Sequence, residues 1–474
     1  AHCGHGRPRC QLRPLATCSF LLFRLQPYAQ TKTSSVVNEI TAWRHIVKRI
    51  NYALISILLI AGFASIANSQ KLSPEERRIV EYVDAHKDEA TALLERVVNI
   101  ESATQNTAGV KQVGQVFKTE FESIGLTARW IDMPPEMNRG GHLLAENANP
   151  NARGKRILLL GHIDTVLQGE HWRRDGNKAF GNGSSDMKGG DVVLLYALKA
   201  LADVGALKDM RVIVMLTGDE EAAGRPVEIS RGDMVAAAKR SDLALSFEGA
   251  RGNDATVGRR GSSSWTLEVA GNTGHSSQIF KERMGAGAIL EAARILDKFY
   301  EEFHTNKNFT FNPSLIIGGT EAVLTGTSGT ATGKTNVVPA KDIVRGDLRF
   351  SNEAEKEAAR ARMRAIVAAN LPGTSAKISF EDGIPAMAPT EGNYAILNQL
   401  SQVSQDLGFG KVGTVDPADR GAGDIAYVSN LISGLDGLGA DGAGAHAPGE
   451  SVDLASMPTL TKRAAILIYR LTRQ

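Results

Sequence analysis

The chain has 474 residues, 42% of them hydrophobic, which suffices for one large or two medium domains with a buried core. Its formal charge of +2 hides an uneven distribution, because residues 1–69 hold eight of the 54 Lys and Arg residues and one of the 52 Asp and Glu residues. The remaining chain has a net charge of about −5, which gives no reason to expect nucleic-acid binding. Cys3, Cys10 and Cys18 all lie near the N-terminus, so the rest of the chain has no thiol chemistry.

The N-terminal region has the pattern of an export signal. A Lys-Arg pair precedes the apolar run Ala53–Ala64, and small residues follow at Ala67–Ser69. This order predicts a signal peptide, with an uncleaved membrane anchor as the competing interpretation. The segment before Val36 is rich in Arg, Cys and Pro and contains no Met, which indicates translated upstream sequence or a misplaced start. We therefore predict a secreted or periplasmic protein and assign residues 1–69 to this extension and signal.

The folded part begins with helices and continues with a strand–helix alternation. Ser73, Pro74 and Glu76 predict a capped helix start, from which apolar residues continue at helical spacing to Val98, and a second helix is predicted from Val113 to Phe121. Strands and a helix then follow in the order Arg156–Leu160, Asp191–Ala202 (helix), Arg211–Leu216 and Asp242–Phe247. This rhythm predicts an α/β fold with a doubly wound, mostly parallel sheet.

The alternation changes after residue 260. The next elements are a strand, a helix, two strands, a helix and a strand, at Ser263–Ala270, Ala286–Phe303, Ser314–Gly319, Ile343–Phe350, Asn352–Leu371 and Lys377–Glu381. The order βαββαβ predicts a ferredoxin-like domain. Because a further candidate site residue, His446, follows this domain, we predict that the domain (261–381) is inserted into a catalytic domain formed by residues 72–260 and 382–474.

Polar residues follow several of the predicted strands. His162, the pair Glu220 and Glu221, and Glu248 each come directly after an apolar, strand-like run. Open α/β sheets build their active sites at the carboxyl ends of strands. His and carboxylate ligands without a thiolate suit zinc or a similar divalent ion in a catalytic site.

The joint occurrence of five motifs resembles one enzyme family. The motifs are Gly161-His162-Ile163-Asp164, Asp186-Met187-Lys188-Gly189-Gly190, Asp219-Glu220-Glu221, Ser246-Phe247-Glu248 and Gly444-Ala445-His446. From about Leu72 to the C-terminus the chain is similar to the aminoacylase/glutamate carboxypeptidase family of co-catalytic metallopeptidases. The resemblance implies two divalent metal ions, with zinc expected.

The resemblance also implies a role for each of these residues. Asp186 would bridge the two ions, the remaining ligands being His162 and Glu248 for one ion and Glu221 and His446 for the other. We predict Glu220 to be the general base, since a carboxylate beside metal-bound water fits that role. Asp164 is predicted to accept the imidazole N–H of His162 and fix its tautomer. The alternative is that residues 219–221 form only an acidic turn.

Three residues of the inserted domain complete the predicted site. His275, in Gly274-His275-Ser276, resembles a family histidine that polarises the substrate carbonyl, often from the partner subunit. Asn336 and Arg349 resemble residues that bind the substrate carboxylate, and Arg suits that bidentate contact. The resemblance implies that this domain acts as a lid and mediates a homodimer.

We predict a metal-dependent hydrolase that cleaves the amide bond of small peptides or N-acyl amino acids, as a carboxypeptidase. The alternatives are an N-acyl-amino-acid deacylase of the acetylornithine or succinyl-diaminopimelate type, and a binding protein on the same scaffold. Glutamate-specific relatives place an Arg where this chain has Ile384, which predicts a broader or more apolar pocket. Neither Gly-x-Ser-x-Gly nor His-Glu-x-x-His occurs, which disfavours a serine hydrolase and the commonest one-zinc protease helix.

Overall fold

The computed structural model describes residues 72–147 and 149–473, so the predicted signal segment lies outside the described residues. The helices in this part are α1 (Pro74–Ala85), α2 (Lys87–Val98), α3 (Thr107–Ser123), α4 (Lys188–Asp203), α5 (Val227–Ser230), α6 (Gly232–Ala238), α7 (Ala288–Phe303), α8 (Glu353–Ala368), α9 (Glu391–Asp406) and α10 (Met457–Leu471). None of these helices in the described ranges has the length and hydropathy of a membrane span.

The strands of the described part are β1 (Thr127–Ile131), β2 (His142–Glu146), β3 (Arg153–His162), β4 (Arg173–Asp175), β5 (Lys178–Phe180), β6 (Met210–Thr217), β7 (Leu243–Ser246), β8 (Asp254–Ala255), β9 (Gly261–Gly271), β10 (Phe309–Gly319), β11 (Glu321–Thr325), β12 (Ser328–Thr332), β13 (Lys341–Phe350), β14 (Thr374–Asp382), β15 (Gly413–Thr414), β16 (Ser433–Leu435), β17 (Gly442–Ala443) and β18 (Ser451–Asp453).

The central sheet has six strands in the order β1-β2-β6-β3-β7-β16. Strands β6, β3, β7 and β16 are parallel, and β1 and β2 add an antiparallel edge. Along β3, Ile157 and Leu159 pack into one hydrophobic core and Leu158 and Leu160 into another, as the two-residue period of a strand requires. Burial on both faces explains the continuous apolar run and confirms the predicted mostly parallel sheet.

Helices cover both faces of that sheet. On one side α4 packs against α1, α2 and α10, and nearly every residue of α4 is buried. On the other side Met234 and Ala237 of α6 and the segment 424–428 cover Leu158 and Leu160. The candidate site residues lie at the edge of the sheet where β3, β6 and β7 end.

The part of the chain outside residues 261–382 also forms a small antiparallel sheet. Its strand order is β17-β18-β5-β4, so it joins the segment after Phe180 to the C-terminal segment around residue 450. This pairing is what brings two sequence-distant loops, residues 181–187 and 444–450, next to each other.

The segment from Gly261 to Asp382 forms a second sheet of its own. Its strands lie in the order β10-β13-β9-β14, every neighbouring pair antiparallel, with α7 and α8 packed on it around Trp265 and Phe299. This is the strand order of the ferredoxin-like pattern expected from the sequence. The hairpin β11–β12, which the sequence analysis did not anticipate, extends from it. The role of this segment as a lid or a dimerisation domain stays a prediction.

Candidate metal centre

The carboxyl ends of three neighbouring parallel strands meet at one edge of the central sheet. His162 is the last residue of β3, Glu220 and Glu221 follow β6, and Glu248 follows β7. Ligand atoms of His162, Glu220 and Glu248 lie within 4.8 Å of one another. The structure therefore brings together the residues that the strand-end pattern predicted.

Asp186 lies between two imidazoles. Its Oδ1 is 3.3 Å from Nε2 of His162, and its Oδ2 is 3.2 Å from Nε2 of His446. Nε2 of His162 is also 3.6 Å from Oε1 of Glu248, and Nε2 of His446 is 3.1 Å from Oε2 of Glu221. The five predicted ligands thus form two groups that share Asp186.

Two glycines after Asp186 allow this loop to sit against the sheet. A Cβ on Gly190 would lie 1.9 Å from the Phe247 carbonyl oxygen, and one on Gly189 would lie 2.3 Å from the Ser184 carbonyl oxygen. Only glycine fits such contacts. The Asp186–Met187 peptide bond is cis.

Asp164 holds the turn that carries the two glutamates. Its carboxylate accepts hydrogen bonds from the backbone N–H groups of Glu220 (3.0 Å) and Glu221 (3.2 Å) and from the hydroxyl of Thr104 (2.6 Å). Nδ1 of His162 is 3.1 Å from the backbone oxygen of Asp164 and 3.4 Å from its Oδ1. The imidazole thus lies closer to the backbone oxygen of Asp164 than to the carboxylate, which was predicted to accept its N–H.

Beneath the same turn lies a buried ionic network that the sequence analysis missed. Arg231 pairs with Asp219 and, at 2.8 Å, with Asp424, whose other oxygen accepts a 2.6 Å hydrogen bond from Thr217. Asp219 also accepts the N–H of Gly224 at 2.8 Å. Because all these groups are buried and mutually paired, the network fixes the start and end of the turn.

Glu450 is a second residue that the sequence analysis missed. Its buried carboxylate accepts the backbone N–H groups of Gly183 and Ser185, both at 2.8 Å, and of Asp186 at 2.9 Å. It therefore fixes the loop that presents Asp186, much as outer-shell groups orient metal ligands. A carboxylate four residues after His446, in the same glycine-rich stretch, was the signal available in the sequence.

His446 is held in a strained backbone conformation at the rim of the site. Its φ of 64° lies in the left-handed region, which non-glycine residues seldom adopt. Its side chain is 58% exposed. Hydrogen bonds to Asp186 and Glu221 raise the pKa of His446 to about 11.

The cluster has more acidic than basic side chains. Burial and the charge of Asp186 raise the pKa of Glu248 to about 7, and burial raises the pKa of Glu220 well above its usual value. Although burial opposes it, the hydrogen bonds that the protonated imidazole donates to Asp164 and Asp186 raise the pKa of His162. Shifts in these directions mark crowded negative charge, which divalent cations would neutralise.

A cavity of about 350 Å³ opens over the cluster. It is lined by Asp186, Glu220, Glu248 and His446 on one side, and the loop 442–446 forms part of its wall. Ile384 does not line this cavity. It lines a separate crevice of about 580 Å³ between the inserted segment and α5–α6, so the predicted effect of Ile384 on the substrate pocket has no support from its position.

His275, Asn336 and Arg349, the three predicted site residues of the inserted segment, do not line the cavity over the cluster. His275 and Asn336 are exposed neighbours, joined by the Ser276 N–H to Asn336 carbonyl hydrogen bond of 2.9 Å. Arg349 is exposed and paired with Asp347 at 2.9 Å. Asn336 precedes the first residue of β13, Lys341, whereas Arg349 lies near the other end of that strand. Because a strand rises ~3.3 Å per residue, Arg349 is roughly 26 Å from Lys341. One small ligand cannot contact both residues of a single chain.

Known proteins are similar to this chain in sequence. The profile of "Peptidase family M20/M25/M40" matches residues 158–470. Carboxypeptidase G2 from Pseudomonas sp. (strain RS-16) is 27% identical over 442 residues, covering 88% of this chain and 97% of that protein. Succinyl-diaminopimelate desuccinylase from Acidovorax ebreus (strain TPSY) is 25% identical over 409 residues, covering 80% and 96% respectively.

A solved structure has the same fold. A dinuclear metal-binding M20 peptidase from Bacillus subtilis superposes with a TM-score of 0.59 at 15% identity, covering 82% of this chain and 99% of that one.

Proposed function

The chain belongs to peptidase family M20/M25/M40, as its motifs predicted, and on that premise we propose that it is a two-metal carboxypeptidase acting on small peptides or N-acyl amino acids. The observation that carries the proposal is the position of Asp186, whose two carboxylate oxygens face two different imidazoles at 3.3 and 3.2 Å. A carboxylate in that position is suited to bridge two cations.

The residues of the cluster fit the expected ions. We assign His162 and Glu248 to one ion, His446 and Glu221 to the other, and Asp186 to both. Imidazole nitrogens and carboxylate oxygens without thiolates suit zinc in a catalytic site. Such ions, when bound, polarise a substrate carbonyl and make water a better nucleophile.

Glu220 is the proposed proton carrier. It lies beside His162 and Glu248 in the cavity, while its neighbour Glu221 points to His446. Burial raises the pKa of Glu220, which makes its carboxylate a stronger proton acceptor. We propose that Glu220 takes the proton of the attacking water and gives it to the leaving amine.

The inserted segment supplies the proposed substrate contacts from two copies of the chain. Arg349 lies near the end of the segment that connects to the catalytic domain, and His275 and Asn336 lie at the opposite end. We propose that Arg349 binds the substrate's α-carboxylate within its own chain. His275, which would polarise the carbonyl, and Asn336 would come from the partner in a homodimer formed by the inserted domain.

The choice between carboxypeptidase and deacylase follows the relatives. The match to a protein named carboxypeptidase G2 is longer and closer than the match to a succinyl-diaminopimelate desuccinylase. The deacylase reaction is the alternative, since it breaks the same amide bond with a different acyl group.

We also propose that the protein is exported, because a basic, an apolar and a small-residue stretch follow one another before residue 70. Mass spectrometry that finds a mature N-terminus near residues 69–71 would support cleavage, and residues before Ala53 in the exported protein would contradict it.

A metal analysis combined with a substrate panel tests the proposed reaction. We expect two divalent ions per chain and complete loss of turnover after chelation, restored by zinc. Release of C-terminal Glu, Ala and Leu should be measured from acyl amino acids and dipeptides and from their C-terminal amides. Turnover of the free acids but not of the amides supports a carboxypeptidase. Full turnover of metal-free protein would refute the two-metal reaction, and a protein without stoichiometric metal would support a binding role.

A further inference from the structure

The cavity over the acidic cluster has a basic wall as well as an acidic one. Arg259 and Arg420 line it together with Asp186, Glu248 and His446. Both arginine side chains are buried, Arg259 at 4% and Arg420 at 8% exposure. Two buried guanidinium groups beside a metal site require counter-charges, because an unpaired buried charge is strongly unfavourable.

Arg259 has its counter-charges within the protein. It pairs with the buried Asp436 and lies 3.8 Å from Oε2 of Glu248. Its Nη1 donates to the carbonyl oxygens of Gly421 (3.0 Å) and Ala422 (3.1 Å). Arg259 therefore fixes the loop directly after Arg420.

Arg420 has no such partner. Its Nη2 donates a 3.1 Å hydrogen bond to the Gly249 carbonyl oxygen, and its buried Nε has no hydrogen-bond acceptor. Within residues 72–147 and 149–473 no carboxylate forms an ion pair with it at 4.0 Å or less. Burial and the positive charge of Arg259 lower the pKa of Arg420, and the more distant charges of Asp436 and Glu248 only partly oppose this shift.

We propose that Arg420 binds a carboxylate of the substrate, and this proposal rests on the proposed hydrolase function of the same cavity. A guanidinium with spare donors on a fixed loop matches a carboxylate in charge and shape. Two parts of a substrate can supply that group: the α-carboxylate of the leaving amino acid, or a second carboxylate on the acyl side. Neutral substrates would leave the Arg420 charge uncompensated, so the residue would select for anionic ones.

Three substrates separate the two sources. N-succinyl-alanine has both carboxylates, N-butanoyl-alanine only the α-carboxylate, and N-succinyl-alaninamide only the acyl-side one. We would compare the zinc-loaded wild type with Arg420→Gln, and with Arg420→Lys to restore the charge. Arg129→Gln, at an exposed arginine paired with Asp233 at 3.1 Å, is the matched control. Zinc content and thermal unfolding verify that each variant is folded and loaded.

We expect Arg420→Gln to raise KM by roughly 10- to 100-fold, with kcat less affected, for substrates that carry the recognised carboxylate. An increase confined to the two succinyl substrates identifies the acyl side, and one confined to the two free-acid alanines identifies the α-carboxylate. Arg420→Lys should recover part of the loss. Equal KM values in wild type and Arg420→Gln for all three substrates, or equal increases for all three, would overturn the proposal.

Calorimetric titration distinguishes failure of this proposal from failure of the proposed function. If the zinc-loaded wild type hydrolyses none of the three substrates, the proposed reaction is wrong, and binding of succinate and of N-butanoyl-alanine then decides on Arg420. Binding of either anion that weakens at least tenfold in Arg420→Gln but not in Arg129→Gln supports the subsite. Binding that is absent from the wild type, or the same in Arg420→Gln, rejects it.

Discussion

The two parts of the proposed site are built in different ways. In the catalytic part, the two loops that carry Glu220, Glu221 and Asp186 are held by buried carboxylates: Asp164 fixes the Glu220–Glu221 turn and Glu450 fixes the Asp186 loop. In the inserted segment, the side chains of His275 and Arg349 are exposed, and they form hydrogen bonds with Ser277 and Asp347, two residues away in sequence. Metal ligands must be positioned before the ion arrives, whereas substrate contacts can form as the substrate binds. Substitutions should therefore act differently in the two parts.

The largest effect should come from Glu220→Gln. Removing the proton acceptor should lower kcat by about 10²- to 10⁴-fold while two zinc ions stay bound, because the amide keeps the shape of the side chain. Glu221→Gln is the matched variant, and it should lose metal because Glu221 contacts His446 at 3.1 Å. Metal analysis and single-substrate kinetics measure both. Zinc loss with substantial turnover in Glu220→Gln would show that the roles of the two glutamates are reversed.

The next effect should follow from loosening the Asp186 loop. Glu450→Gln leaves one oxygen for three backbone N–H donors, so the zinc Kd should rise about 10- to 100-fold, with kcat recovered at saturating zinc. Competition with a chelator measures this affinity. Glu170→Gln is the control, since Glu170 accepts the exposed N–H of Gly449 at 2.9 Å in the same region. Equal zinc affinity in wild type and Glu450→Gln would mean that the loop is fixed without this carboxylate.

Substitutions in the inserted segment should weaken substrate binding, and their effects should depend on which subunit carries them. Arg349→Ala should raise KM for free-acid substrates by about 10- to 100-fold and leave the amides nearly unchanged, because only the free acids present a carboxylate. Zinc content should not change.

A mixture of Arg349→Ala and His275→Ala chains tests the proposed dimer. If His275 serves the partner's site, each mixed dimer regains one intact site, and the mixture should recover on the order of a quarter of wild-type activity. Each variant alone is the control. A mixture no more active than the average of its two components would place both residues in the same chain's site, contrary to our proposal.

The smallest effect concerns the stability of the inserted segment rather than the site. Asp342 on β13 is buried, its Oδ1 has no hydrogen-bond partner, and burial raises its pKa to about 7. Because the unfolded carboxyl releases its proton near pH 4, the free energy of unfolding should fall between about pH 4 and pH 7. Asp342→Asn should remove that loss and stabilise the protein by on the order of 1–4 kcal/mol at pH 8, and by less at pH 5.

Urea unfolding at the two pH values measures this difference. Asp297→Asn, at an exposed acid on α7, is the control and should change stability little at either pH. A gain of the same size at pH 5 and pH 8 would show that the Asp342 carboxyl does not keep its proton in the folded state.

By itself, the sequence determined the family, the α/β architecture and the set of clustered residues. Apolar runs of β3, β6 and β7 predict buried strands, and polar residues at their ends must meet wherever those strands are neighbours in a parallel sheet. His162, Glu220 and Glu248 were predictable for that reason, and Asp186 and His446 because their motifs resemble those of the family.

Only the tertiary structure revealed how these residues are held and how far apart the others lie. Glu450 reaches the Asp186 loop because β5 pairs with β18, and that pairing joins segments separated by some 270 positions. The separation of Asn336 from Arg349 follows from the length of β13. Arg420 becomes notable only because folding buries it without a carboxylate partner. Local patterns report which residues an element presents, but counter-charges and long-range pairings depend on contacts that form only when the chain folds.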